Sequence, residues 1–199
     1  MQLTMTSRDR IGPNAILQVI DSVTARLGLD QTQALFNAAG LQHHLASRPA
    51  TMVSESDVAT LQRQLRENFG PELAREISWD AGLRTGDYLL ANRIPKLAQV
   101  VLKRLPAGVA ARVLAKAIGK HSWTFAGSGT LHIRPGRPFS FIIQRNPICS
   151  RIQSDVPVCH YYAGTFERIF QAIVHPNSRV LEIECEATGG AACVFQITW

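Results

Sequence analysis

The chain has 199 residues, a formal net charge of +6, 46% hydrophobic and 18% charged residues. This is the composition of a folded globular chain, long enough to bury a core without cross-links, and it excludes the disordered and fibrous classes. No window approaches the ~20 continuous apolar residues of a membrane span, and the early arginines of the N-terminus have no apolar segment behind them, so no secretory leader is expected.

The first half reads as helix. Ile16, Leu17, Val19, Ile20 and Val23 recur at helical spacing between Pro13 and Leu27, with Gly28 as the stop. A shorter helix is expected over 31–39. Ser54 can cap a helix over 54–68, with Val58, Leu61 and Leu65 on one face and Gly70-Pro71 ending it. Another helix is expected over 72–83. Next, Ile94, Leu97, Ala98, Val101, Leu102 and Leu105 form one apolar stripe, with Arg93, Lys96, Lys103 and Arg104 off it. Pro106-Ala107-Gly108 breaks the pattern, and Ala110, Val113, Leu114, Ala117 and Ile118 repeat it beside Arg112, Lys116 and Lys120. The spacing predicts a helical hairpin over 94–120 with a basic outer face.

From His121 the period changes to two. His121, Trp123 and Phe125 alternate, Gly127-Ser128-Gly129 turns the chain, and strands follow through Leu131 and Ile133 and then Phe139, Phe141 and Ile143. Behind Pro157 a helical stripe runs through Val158, Tyr162, Thr165, Phe166, Ile169, Phe170 and Ile173. Two strands close the chain around Gly189-Gly190. Symmetric pairing about Gly189 sets Cys185 against Cys193, Ile183 against Phe195 and Leu181 against Ile197. The order gives an α+β fold: a mostly antiparallel sheet packed with helices, behind a helical N-terminal half. The expected organisation is a helical region over 1–81 and a second part over 82–199, the two forming one compact unit. Charge is segregated: between Arg84 and Lys120 lie eight basic residues and one acid, Asp87. Such a segment suits an acidic partner: a protein, a lipid surface or a carboxylated ligand.

In the reducing cytoplasm expected here, cysteines bind metals more readily than they cross-link. Cys159, Glu182, Cys185 and Cys193, within 155–199, supply three thiolates and a carboxylate, a tetrahedral zinc set that leaves Cys149 spare. In a regular strand Glu182 points away from Cys185, so a bulge is needed to bring it round, or Glu184 or Glu186 takes its place. A Cys185–Cys193 disulfide, buried free cysteines and an iron–sulfur cluster remain as alternatives.

The stretch SDVPVCHYYAGTFERIFQAIVHPNSRVLEIECEATGGAACVFQI resembles the 4-vinyl reductase domain family, whose fold is related to a component of vesicle-tethering complexes. The resemblance implies a structural zinc on Cys159, Glu182, Cys185 and Cys193. Upstream, GLRTGDYLLANRIP from Gly82 and HSWTFAGSG from His121 resemble the J-protein group of bacteriochlorophyll biosynthesis. That resemblance implies a cytoplasmic role in bacteriochlorophyll synthesis, peripheral to the photosynthetic membrane. The group is customarily assigned reduction of the 8-vinyl group of divinyl protochlorophyllide. This sequence, however, shows no dinucleotide fingerprint, P-loop or ferredoxin cysteine run.

The alternative to a vinyl reductase is a carrier or assembly factor that binds a magnesium tetrapyrrole. A wide apolar disc with a carboxylate edge calls for aromatic walls, a cation and an axial ligand. Tyr88, Trp123, Phe125 and Tyr162 are candidate walls, Arg84 and Arg93 candidate carboxylate partners, and His121 and His160 candidate axial ligands. A third reading is a scaffold that gathers pathway enzymes, or a second copy of the chain, through the basic hairpin. No nucleic-acid partner is expected.

Overall fold

The computed structural model describes residues 9–199. The expectation about a leader falls partly on residues 1–8, outside the described residues. Ile16, Val19, Ile20 and Val23 are buried, so helix α1 (Asn14–Leu27) turns one apolar face toward α4 (Glu55–Asn92). Gly28, at φ 86°, ends α1. Helix α2 (Leu29–Ala39) ends at Gly40 in the left-handed region, where Gly40 N–H returns to the Asn37 carbonyl and Leu41 N–H to that of Phe36. A single turn, α3 (His43–Ala46), leads to β2 (Val53–Ser54), which pairs antiparallel with β1 (Arg10–Ile11). The Ser54 hydroxyl accepts the Ser56 N–H and caps α4.

The expected stop at Gly70-Pro71 is a kink instead. Gly70 adopts φ 79° and ψ 166°, and Pro71 opens a second limb, where its missing N–H leaves no bond unmade. That limb continues past Leu83 to Asn92, because Gly82, Thr85 and Gly86 lie against helix α8 (His160–Ile173).

The hairpin forms as α5 (Lys96–Lys103) and α6 (Ala107–Lys120), but its expected inner stripe is only partly inner. Leu97 and Val101 face solvent, while Gln99 is buried with Leu102. Gln99 turns inward because its amide donates to the Leu90 and Ile94 carbonyls at 2.6 and 2.8 Å, satisfying acceptors that the end of α4 leaves open.

The alternating segment His121–Phe125 is not a strand. It forms a short helix, α7 (Trp123–Ala126). The Thr124 carbonyl accepts Gly12 N–H and the Phe125 carbonyl accepts the Tyr162 hydroxyl, both at 2.6 Å, so neither is free for a strand partner.

Strands β3 (Thr130–Arg134), β4 (Phe139–Gln144), β5 (Arg179–Glu184) and β6 (Cys193–Thr198) form an antiparallel sheet in the order β3-β4-β6-β5. Helix α8 is held to it by packed rings: the Phe141 centroid is 4.8 Å from that of Phe166 and 5.8 Å from that of Phe170. The closing hairpin does not pair symmetrically. Leu181 faces Gln196 and Glu182 faces Phe195, with a bulge between Glu182 and Glu184. A slip of one residue reverses the faces, so Val180 and Glu182 point inward while Leu181 and Ile183 are exposed.

Candidate metal centre

Four separate pieces of chain bring sulfur to one point. Cys149 lies in the loop after β4, Cys159 at the N-cap of α8, Cys185 just beyond the β5 bulge, and Cys193 at the start of β6. All four are buried and unbridged, and their sulfurs lie within 4.8 Å of one another. Measured separations are 3.5 Å for Cys149–Cys193, 3.6 Å for Cys159–Cys193, 3.7 Å for Cys185–Cys193 and 3.8 Å for Cys159–Cys185. A tetrahedral ion with Zn–S bonds of about 2.3 Å holds its sulfurs roughly 3.8 Å apart, so the donor set fits zinc.

Of the sequence candidates, Cys159, Cys185 and Cys193 come together. Glu182 is buried beside them but outside the cluster of mutually close donor atoms. The β5 bulge does turn it inward, yet one carboxylate oxygen is used to accept Cys159 N–H at 2.7 Å. Its other oxygen, Oε1, is buried without a hydrogen-bond partner. Burial, followed by the nearby Cys185 sulfur, pushes the Glu182 carboxyl up to about 8. Glu184 is exposed. Glu186 serves a different purpose: its carboxylate accepts Arg145 N–H at 2.6 Å and Asn146 N–H at 2.7 Å, fixing the loop that carries Cys149.

Polar groups converge on the sulfurs. The Asn146 side-chain amide donates to Cys159 Sγ at 3.2 Å and Glu186 N–H to Cys193 Sγ at 3.4 Å. Hydrogen bonds from Cys149, Cys159 and Cys193 hold the Cys185 thiol below the ordinary range. Burial pushes Cys159 up, and the hydrogen bond with Cys149 is the main cause that raises Cys193. One thiol therefore ionises readily while its neighbours resist, and a dication is what lets several ionise together. Cys149, Asn146 and Glu186 were missed as members of the site. The available signal for Cys149 was the count itself: four cysteines match a closed tetrahedral shell.

The candidate pigment residues do not form one slot. Arg84 is paired with Asp80 at 2.7 Å, beside a cavity of about 210 Å³ lined also by Ser22, Ala25, Arg26 and Ile77. Burial raises the Asp80 carboxyl, but the Ser22 hydroxyl and Arg84 outweigh it and hold the group below its usual value. That cavity is smaller than the ~300–1,000 Å³ of ordinary ligand pockets. Arg93 lies over the Tyr88 ring, 6.0 Å from its centroid. Tyr162 is buried and Phe125 half-buried, their centroids 6.0 Å apart within the aromatic core. Burial, then Arg75 and Arg66, push the His160 imidazole down to about 4. Among the eight candidates, His121 and Trp123 are exposed and close together in the chain at the end of α6.

The family model of the vinyl-4-reductase domain matches residues 139–198, which include all four cysteines. The chain is 48% identical over 188 residues to the bacteriochlorophyll synthase 23 kDa chain of Cereibacter sphaeroides, covering 94% of this chain and 90% of that one. It is 40% identical over 186 residues to the protein of the same name from Rhodobacter capsulatus, covering 94% and 85%. Among solved structures, an H-NOX protein from S. oneidensis in the Fe(II)NO ligation state superposes with a TM-score of 0.56 at 13% identity, over 94% of this chain and 98% of that one, a likeness of fold. With near full-length identity of this order and the matching domain, the chain belongs to the vinyl-4-reductase-domain family of bacteriochlorophyll synthase 23 kDa chains.

Proposed function

We propose that this protein serves bacteriochlorophyll synthesis by binding a magnesium tetrapyrrole intermediate similar to divinyl protochlorophyllide, as a carrier or assembly factor. The observation that carries the pathway is the likeness to the two 23 kDa chains, which extends over 94% of this chain. Their printed name, a chain of a synthase, supports partnership with pathway enzymes. The reading places the protein in the cytoplasm, at the rim of the photosynthetic membrane. Among the described residues no helix is long and apolar enough to cross a membrane.

The face best suited to a flat pigment is the end of α6. Trp123 offers an exposed ring for stacking, His121 an exposed imidazole, and Lys120 a cation for a carboxylate edge. The other candidates are engaged in the core or in pairs of their own. On this reading zinc is a structural ion held by Cys149, Cys159, Cys185 and Cys193, with Glu182 outside the coordination shell. Bound there, it would tie the β4 loop, α8 and the closing hairpin together and present no open position for chemistry.

Titration with divinyl protochlorophyllide tests the proposal. A saturable shift in the pigment spectrum without turnover is expected. His121→Ala and Trp123→Ala should each weaken binding about tenfold, while His160→Ala leaves it unchanged. Conversion to a monovinyl product on adding reduced nicotinamide would replace the carrier with a reductase. A spectrum unaltered by the protein would remove the pigment.

A further inference from the structure

The α5–α6 hairpin leaves outward faces that ordinary surface helices do not. On α5, Leu97, Val100 and Val101 are 76%, 46% and 51% exposed, at positions i, i+3 and i+4. On α6, Val109 and Val113 are 42% and 48% exposed, at i and i+4. A solvated helix puts its apolar residues inside, whereas these five lie on the water side. The same faces carry Lys96, Lys103 and Arg104 on α5, and Arg112, Lys116 and Lys120 on α6, all exposed. Among the described residues none of these six cations is in an ion pair. Residues 88–154 contain no Asp or Glu at all. The charge is therefore left uncompensated in a molecule whose other arginines are often paired, as Arg26, Arg48, Arg63 and Arg168 are.

We infer that this hairpin is a membrane-docking surface, which seats its aliphatic side chains at the acyl boundary of an anionic bilayer while its lysines and arginines meet the phosphate headgroups. Charge and apolarity decide the occupant together. A second copy of the chain would set one strongly basic face against another. A nucleic-acid backbone would meet the cations but leave five aliphatic side chains unused. An acidic protein surface would match the charge, yet protein interfaces favour aromatic and arginine anchors and are depleted in lysine. Valine and leucine alternating with lysine, whose stem reaches past the apolar layer to the headgroups, is what a lipid interface selects. The inference uses the hairpin faces alone and does not depend on the pigment reading.

The test is co-sedimentation of the full chain with vesicles of phosphatidylglycerol and phosphatidylcholine, against vesicles of phosphatidylcholine alone. The expected result is binding to the anionic vesicles only, weakened by salt. The double variant Leu97→Ser, Val101→Ser keeps every charge and should weaken this binding at least about tenfold. Lys96→Glu with Lys103→Glu should weaken it by a similar factor. All four positions are exposed, so an unchanged melting temperature verifies that the variants fold. Absence of binding to anionic vesicles at low salt overturns the inference. So does a serine double variant that binds as well as the parent, or full competition by polyglutamate, either of which would assign the face to an acidic protein.

Discussion

Arg145 has φ 53°, a left-handed conformation that costs a residue with a Cβ roughly 1–2 kcal/mol. The Glu186 carboxylate compensates by accepting the Arg145 and Asn146 N–H groups. This turn is what swings Cys149 to within 3.5 Å of Cys193. It also explains why the fourth donor was hard to read from sequence. Cys159, Cys185 and Cys193 lie at helix and strand ends, where spacing fixes position, whereas Cys149 depends on one non-glycine residue adopting a rare conformation. Glu182 was legible as a buried carboxylate that needs a bulge, but its distance from the sulfurs was not. If the shell is four sulfurs, Cys149→Ser lowers zinc affinity by more than the ~10–100-fold of an outer-sphere change, and Glu182→Gln stays within that range. Zinc-edge X-ray absorption would show four sulfur neighbours in the parent protein. Three sulfurs and one oxygen, with Cys149→Ser unaffected, would return Glu182 to the shell.

At the scale of elements, the contact that positions the centre is α4 against α8. The two helices approach through glycine: a Cβ on Gly82 would lie 2.3 Å from the Tyr161 carbonyl oxygen, and one on Gly164 2.7 Å from that of Trp79. Thr165 Oγ1 donates to the Gly82 carbonyl at 3.1 Å, and the Thr85 and Tyr161 hydroxyls are 2.9 Å apart. The obstacle is backbone, so no rotamer change relieves it. Gly82→Ala should therefore destabilise the fold by about 1–3 kcal/mol despite the better helix propensity of alanine. Gly108→Ala, where nothing lies within 4 Å of the added Cβ, serves as the control and should be neutral or stabilising. Denaturant midpoints compare the two; equal midpoints would mean that α4 and α8 can move apart freely. The helices themselves could be read from periodicity, because each turn repeats the pattern. The inward turn of Gln99 and the helical form of Trp123–Ala126 could not, since both follow from carbonyl groups elsewhere in the fold.

For the molecule as a whole, the question is whether the helical half and the sheet half unfold together. Residues 81 and 82, where a boundary between the two regions was expected, are consecutive within α4. Helix α8 touches both sides: Thr165 bonds to α4, while Glu167, on the same helix, accepts Val180 N–H of β5 at 2.9 Å. Its N-cap, Cys159, lies in the sulfur cluster. A bound ion would thus act on the element shared by both halves, and its free energy of binding would enter the stability of both. Chelation should then lower the melting temperature by roughly 10 °C or more. It should also reduce hydrogen-exchange protection in α1 as well as in β6, although α1 contributes no ligand. The contrary pattern, protection lost in β6 and kept in α1, would mean that α8 can leave the sheet while staying on α4. The chain would then unfold as two units meeting along that helix.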